Sequence, residues 1–167
     1  ARLRVRALQP SPRVVPSGGR PRRSTFPGAD PAEVTLYVIT GPPCVGKSTW
    51  VRERANIGDI VVDLDRLALA ITAEHCPHHE YPTHIRRAAM HIRKTAVVLA
   101  LNHSKGGTSY VIHAKPPKQA RAIYKRHNAV FVELQAPVSV LMQRANDERP
   151  PHIAEVIRRW WDDADDY

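Results

Sequence analysis

Gly41-Pro42-Pro43-Cys44-Val45-Gly46-Lys47-Ser48 follows directly on Val34-Thr35-Leu36-Tyr37-Val38-Ile39-Thr40, a strongly strand-forming run, and passes into Ser48-Thr49-Trp50-Val51-Arg52-Glu53-Arg54, which reads as helix. The eight residues satisfy G-x-x-x-x-G-K-[ST] at every fixed position, and a strand before with a helix after is the context that gives this pattern its meaning. Gly41 and Gly46 permit the tight backbone path that turns amide N–H groups toward phosphate oxygens. The helix beginning near Lys47 adds the positive end of its dipole. Lys47 is then placed to bridge the β- and γ-phosphates and Ser48 to offer its hydroxyl to Mg²⁺. The whole segment Gly41, Pro42, Pro43, Cys44, Val45, Gly46, Lys47, Ser48 and Thr49 is expected to wrap a nucleoside triphosphate.

With 167 residues, 43 % of them hydrophobic, the chain is long enough for one domain with a core. No apolar run reaches the roughly 18 residues that span a bilayer, and the Arg-rich start lacks a signal-type apolar segment, so a soluble cytoplasmic protein is expected. Cys44 and Cys76 provide neither a disulfide framework nor zinc spacing and are expected to be free thiols. The formal charge of +9 is uneven: seven arginines, from Arg2 to Arg23, precede the first acid, Asp30, and the stretch through Glu33 nets +5. That stretch also holds six prolines and Gly18-Gly19, a composition that buries too little apolar surface to offset chain entropy. Residues 1–33 are therefore expected to be a basic, irregular arm. The arm is either a contact for nucleic acid or another polyanion, or a solubilising or processed leader. Residues 34–167 are expected to form the folded domain.

Beyond the loop, strands and helices alternate. Ile60-Val61-Val62-Asp63 reads as a short buried strand, followed by the helical Arg66-Leu67-Ala68-Leu69-Ala70-Ile71. The stretch from His75 to Pro82 has two prolines and no periodicity and reads as a loop. Thr83 looks like the cap of a long helix with Ile85, Ala88, Ala89, Ile92 and Ala96 on one face, stopped by Ser104-Lys105-Gly106-Gly107. Strands are expected again at Ser109–His113 and Ala129–Leu134, with helices opening at Pro116-Pro117 and at Pro137. Ile153, Val156, Ile157, Trp160 and Trp161 recur with helical spacing, which makes the tryptophans core anchors of a final helix. This order predicts an α/β, three-layer αβα sandwich around a mainly parallel sheet of four to five strands, with ligands bound at the carboxyl ends of the strands.

A phosphate loop alone does not separate an ATPase from a kinase, so the other charged residues decide. An ATPase needs an acid at the end of an apolar strand to organise water, but the third strand ends in His113 and only the second ends in acids, Asp63 and Asp65. Alternation puts these two side chains on one side if the strand continues through Leu64. A carboxylate there can take the proton of an acceptor hydroxyl; Asp65 is the expected base and Asp63 an assistant to Mg²⁺ or a helix cap. Arg144 precedes and Arg149 lies within the helix-breaking Asn146-Asp147-Glu148-Arg149-Pro150-Pro151, the composition of a short lid that brings cations over a transferring phosphoryl group. His75, Cys76, His78, His79, His84 and His91 show no zinc-ligand spacing. Lys118, Arg121 and Lys125 share one helical face, either a solvated face or a phosphate-backbone track.

The phosphate loop, the Val61-Val62-Asp63-Leu64-Asp65 segment and the arginine-bearing break after the fourth strand together resemble the small P-loop kinases of the polynucleotide-kinase and zeta-toxin type. The likeness covers roughly residues 34–161 and is similar in particular to the short kinase-like proteins of actinobacterial phages. The resemblance implies a P-loop fold, ATP and Mg²⁺ as cofactors, and phosphoryl transfer to an acceptor such as a nucleic-acid or nucleotide hydroxyl. It implies Lys47, Asp65, Arg144 and Arg149 as catalytic residues and Ser48 and Asp63 beside the metal. A non-catalytic nucleotide-binding module and a nucleic-acid-associated ATPase remain alternatives.

Overall fold

The computed structural model describes residues 4–8, 35–73, 76, 80–103 and 107–161. The strands are β1 (Arg4–Leu8), β2 (Thr35–Thr40), β3 (Ile60–Val62), β4 (Thr108–Ile112) and β5 (Val130–Gln135). The helices are α1 (Lys47–Arg52), α2 (Leu64–Ala70), α3 (Thr83–Leu101), α4 (Lys118–Arg126), α5 (Val138–Glu148) and α6 (His152–Arg159). One sheet in the order β1-β5-β2-β4-β3 holds all five strands. β5, β2, β4 and β3 are mutually parallel, and β1 runs antiparallel along the outer edge of β5.

Consecutive strand residues point to opposite faces, and the helices divide accordingly. Ile39, Tyr110, Val132 and Leu134 face α1, α5 and α6 through Val51, Leu141, Ala145 and Ile157. Leu36, Val38, Val62 and Val111 face the other layer, where Leu67 of α2, Ala100 of α3 and Tyr124 of α4 cover them. Each large side chain so enclosed contributes about 1.5–3 kcal/mol relative to its exposed state. Buried on both faces, the central strands read as continuous apolar runs. Helices on both faces of a parallel sheet give the expected three-layer sandwich, and the strand carboxyl ends form one edge on which the loop of residues 41–48 sits. None of the described helices is long and apolar enough to cross a membrane.

Four expectations are corrected. Arg4–Leu8, inside the stretch expected to be irregular, form a strand paired residue for residue with β5 from Arg4↔Gln135 to Leu8↔Phe131. The free edge of β5 supplies hydrogen-bond partners that composition does not register. On α3 the inward positions include Ala89 and Ala100, whereas Ile92 is 39 % exposed, because the contact stripe passes through Arg93 rather than Ile92. Asn146, Asp147 and Glu148 continue α5, so the break between α5 and α6 is only Arg149-Pro150-Pro151. Trp161 lies past the end of α6 and is 47 % exposed, so the core contact of that helix is made by Ala154 and Ile157 instead. The expectations for His75, His78, His79, Lys105 and residues 9–33 lie outside the described residues.

Candidate active site

The loop is built by backbone conformations that few residues accept. Gly41 has φ +130°, and a Cβ there would run into the carbonyl oxygen of Leu134 on β5. Its N–H donates to the Ala114 carbonyl (3.0 Å), which ties the start of the loop to the end of β4. Cys44 (φ +61°) and Gly46 (φ +95°) turn the chain into α1. Val45 points into the core and is fully buried, so its side chain anchors the loop while its backbone remains on the ligand side. Pro43 and Cys44 are half-buried, Pro42 is buried, and Ser48 and Thr49 are exposed.

Lys47 reaches back across the loop and donates to the carbonyls of Gly41 (2.8 Å) and Pro42 (2.7 Å). Burial pushes its ammonium down to about 8, against the opposing pull of Cys44, Asp63 and Asp65. Ser48 Oγ donates to Asp63 Oδ2 (2.7 Å). The strand does not continue through Leu64: β3 stops at Val62, and Asp63 is the N-cap of α2, its Oδ1 accepting the Asp65 N–H (3.1 Å). The expected proximity of Asp63 and Asp65 therefore arises from a helix cap rather than from strand alternation. The cap fixes two different environments: Asp63 is 5 % exposed and locked onto Ser48, whereas the Asp65 side chain is 44 % exposed. Ser48 and Asp63 together offer hard oxygen donors that suit Mg²⁺, which keeps waters and phosphate oxygens in its other positions. No cluster of three or more His, Cys, Asp or Glu residues suited to a metal occurs among the described residues.

The two arginines expected to form a lid converge on this loop from the end of α5. Arg144 Nη1 donates to the Cys44 carbonyl (3.0 Å). Arg149, in extended conformation at the α5 C-cap, brings Nη1 to 3.9 Å from Asp65 Oδ2. An ion pair this long and this open to solvent is worth roughly 0–1 kcal/mol, so it orients the two groups without locking them. Burial raises the Cys44 thiol above its ordinary range, partly offset by Arg149 and Lys47.

Two neighbours were not anticipated. Tyr81 donates its hydroxyl to the Asp65 carbonyl (3.2 Å), pinning the chain before α3 against the start of α2. A cavity of about 230 Å³ opens beside the loop, lined by Pro42, Glu133, Gln135, Ala136, Trp160 and Trp161. The tryptophans carried the only sequence signal for it, and helical spacing assigned that signal to the core. Lys115 lies over the Trp160 ring, 5.5 Å from its centroid.

No family model matches the chain, and no curated protein matches it. Among solved structures, a chain in the Pnkp1/Rnl/Hen1 RNA repair complex superposes with a TM-score of 0.54 and 16 % identity, over 77 % of this chain and 43 % of that one. The present chain thus spans less than half the length of that relative. A putative kinase from Chloroflexus aurantiacus j-10-fl gives a TM-score of 0.51 at 13 % identity, over 75 % of this chain and 78 % of the other. At these identities the likeness establishes the fold, an α/β arrangement with a parallel sheet flanked by helices.

Proposed function

We propose that the chain is an ATP-dependent phosphotransferase whose acceptor is a nucleic-acid or nucleotide hydroxyl. The observation that carries this reading is the division of labour between two aspartates two residues apart. Asp63 is buried and accepts the Ser48 hydroxyl, while Asp65 is open to solvent and stands next to Arg149; in this reading the metal sits by the first and the acceptor approaches from the open side of the second. The names of the two structural neighbours agree with it.

In this reading the triphosphate lies along Gly41 to Thr49, and the Lys47 ammonium leaves the two loop carbonyls for phosphate oxygens. Mg²⁺ held by Ser48 with Asp63 nearby would neutralise phosphate charge. Arg144 and Arg149 stand over the loop where charge accumulates on the transferring group. Asp65 accepts the proton of the attacking hydroxyl. The purine enters the cavity beside Pro42, where Trp160 supplies a ring face and Gln135 an amide for the base edge.

Incubation with γ-labelled ATP and panels of 5′-hydroxyl DNA, RNA, nucleosides and small metabolites tests the proposal. Label on a nucleic acid or nucleotide supports it. Phosphate release to water only when nucleic acid is present identifies a nucleic-acid-associated ATPase. Tight nucleotide binding with neither outcome identifies a regulatory module, as in a phage or mobile element.

A further inference from the structure

From Tyr81 to Val132 the chain carries ten lysines and arginines and not one aspartate or glutamate, so with a total of +9 the remainder nets −1. This run is α3, β4 and α4, two helices that cover the same face of the sheet. The connectivity decides where the charges lie. α3 leads into β4 and α4 leaves it, so both helices have their N-terminal ends toward the carboxyl edge of the sheet; their far ends meet where His127 Nδ1 lies 3.1 Å from the Leu101 carbonyl. The Arg93 guanidinium reaches that carboxyl edge, since its Nη2 donates to the carbonyl of Ile112, the last residue of β4 (3.2 Å). The ten residues of α3 before Arg93 span about 15 Å, at 1.5 Å per residue, and lie on the carboxyl-edge side of it. They carry Arg86 and Arg87 toward the end of the sheet at which the loop of residues 41–48 also lies.

Arg121 is anchored on the same strand end through Nε to the Pro116 carbonyl (3.3 Å). Between Arg93 and Arg121 lies His113, whose Nδ1 is 3.1 Å from the Tyr124 hydroxyl. Burial and the two guanidiniums push this imidazole down to about 4, so near neutral pH it adds no charge of its own. Arg93 and Arg121 are half-buried, and no carboxylate pairs with either among the described residues, nor with Arg86, Arg87, Lys94 or Lys118. Half-buried guanidiniums held by backbone carbonyls, with no carboxylate beside them, present positive charge and further N–H donors to an anion.

We propose that this face docks the phosphate backbone of a nucleic-acid strand, with Arg93 and Arg121 as the anchored inner contacts and Arg86, Arg87, Lys94 and Lys118 as the outer ones. An anionic membrane fits less well. The most exposed large apolar residues of α3, Val98 and Leu99, stand at the far end of the helix, while Met90 (41 % exposed) and Ile92 (39 %) beside the cations offer less apolar surface than a membrane-binding face interleaves with its charges. The surface is distinct from the phosphate loop, so docking is independent of whether the strand's end is a phosphoryl acceptor.

The test is fluorescence anisotropy of the full chain without ATP, titrated against short single-stranded and duplex oligonucleotides carrying the dye on the 5′ phosphate, so that no 5′-hydroxyl is present. Replacing Arg86, Arg87, Lys94 and Lys118 together by alanine is expected to weaken single-strand binding at least tenfold at low salt. It should also flatten the slope of log K against log salt by about 2.8, at about 0.7 per lost contact. All four side chains are exposed. Lys118→Glu alone, in the first turn of α4 where an acid suits the helix dipole, should give a smaller change in the same direction with the fold kept. Arg158→Ala with Arg159→Ala on α6 should change nothing. Unchanged affinity and slope in the α3–α4 variant would overturn the proposal. So would binding that is lost on alanine replacement of Arg13, Arg20, Arg22 and Arg23 instead, or binding to phosphatidylserine vesicles but to neither oligonucleotide.

Discussion

Raising the pH from 7.5 to 9 is expected to weaken ATP binding about eightfold, and the size of the effect follows from how Lys47 is held. In the free protein its ammonium is buried against the carbonyls of Gly41 and Pro42 and pushed down to about 8. A bound triphosphate supplies negative charge at the same place and keeps the group protonated well above that value. Above pH 8 binding therefore takes up a proton, and the dissociation constant scales as one plus ten to the power of pH minus 8. Between the two conditions that factor grows about eightfold, or about 1.3 kcal/mol. The terminal phosphate of ATP is already ionised over this interval, and burial pushes the Cys44 thiol up, away from it. Isothermal titration calorimetry at several pH values, in buffers of different ionisation enthalpy, reads both the affinity and the proton uptake. Lys47→Arg, which stays charged throughout, should bind more weakly but with a flat profile. An affinity constant within twofold across the interval, or a wild-type slope retained by Lys47→Arg, would refute the reasoning.

Gly41→Ala combines a positive φ with a collision against the Leu134 carbonyl, so it should lower stability by about 1–3 kcal/mol in denaturant unfolding and abolish ATP binding; a variant with unchanged stability would mean that the loop is looser than described. Trp160→Ala should weaken ATP by about 1–3 kcal/mol, the value of stacking a base on an aromatic ring, while leaving inorganic tripolyphosphate affinity unchanged; equal losses for both ligands would remove the base from this cavity. His113 titrates below its unfolded value of about 6.5, so the unfolded chain binds the extra proton and the wild type loses stability as the pH falls from about 6.5 to about 4. Solvent screening at this half-buried ring reduces the contribution to about 1–2 kcal/mol, and His113→Gln should show that much less acid destabilisation when the two unfolding profiles are compared.

The strand-loop-helix path through Gly41 and Gly46 was legible because its signal is local: glycines at fixed spacing between an apolar run and a helix-forming run mark the positive-φ turns that the loop makes. The parallel sheet was legible for a related reason, since apolar runs separated by helices leave few other arrangements. What escaped the sequence depended on partners far along the chain. The five residues Arg4–Leu8 stand beside many prolines and become a strand only because β5 presents an open edge. An aspartate after a short apolar run fits both a strand end and a helix cap, and only the Asp65 N–H donated to Asp63 separates the two. Helical spacing placed Ile92 inward and Trp161 in the core; the position of Arg93 beneath Ile112 and the end of α6 at Arg159 decided otherwise.

Label transfer from γ-labelled ATP to a hydroxyl acceptor, compared between the wild type and Asp65→Asn, bears most directly on the account. The expected result is transfer by the wild type, a rate lower by about 10² to 10⁴ in Asp65→Asn as befits loss of a general base, and unchanged ATP affinity in the variant. Full transfer by Asp65→Asn, above all if Asp63→Asn abolishes it, or no transfer by the wild type to any hydroxyl, would contradict it.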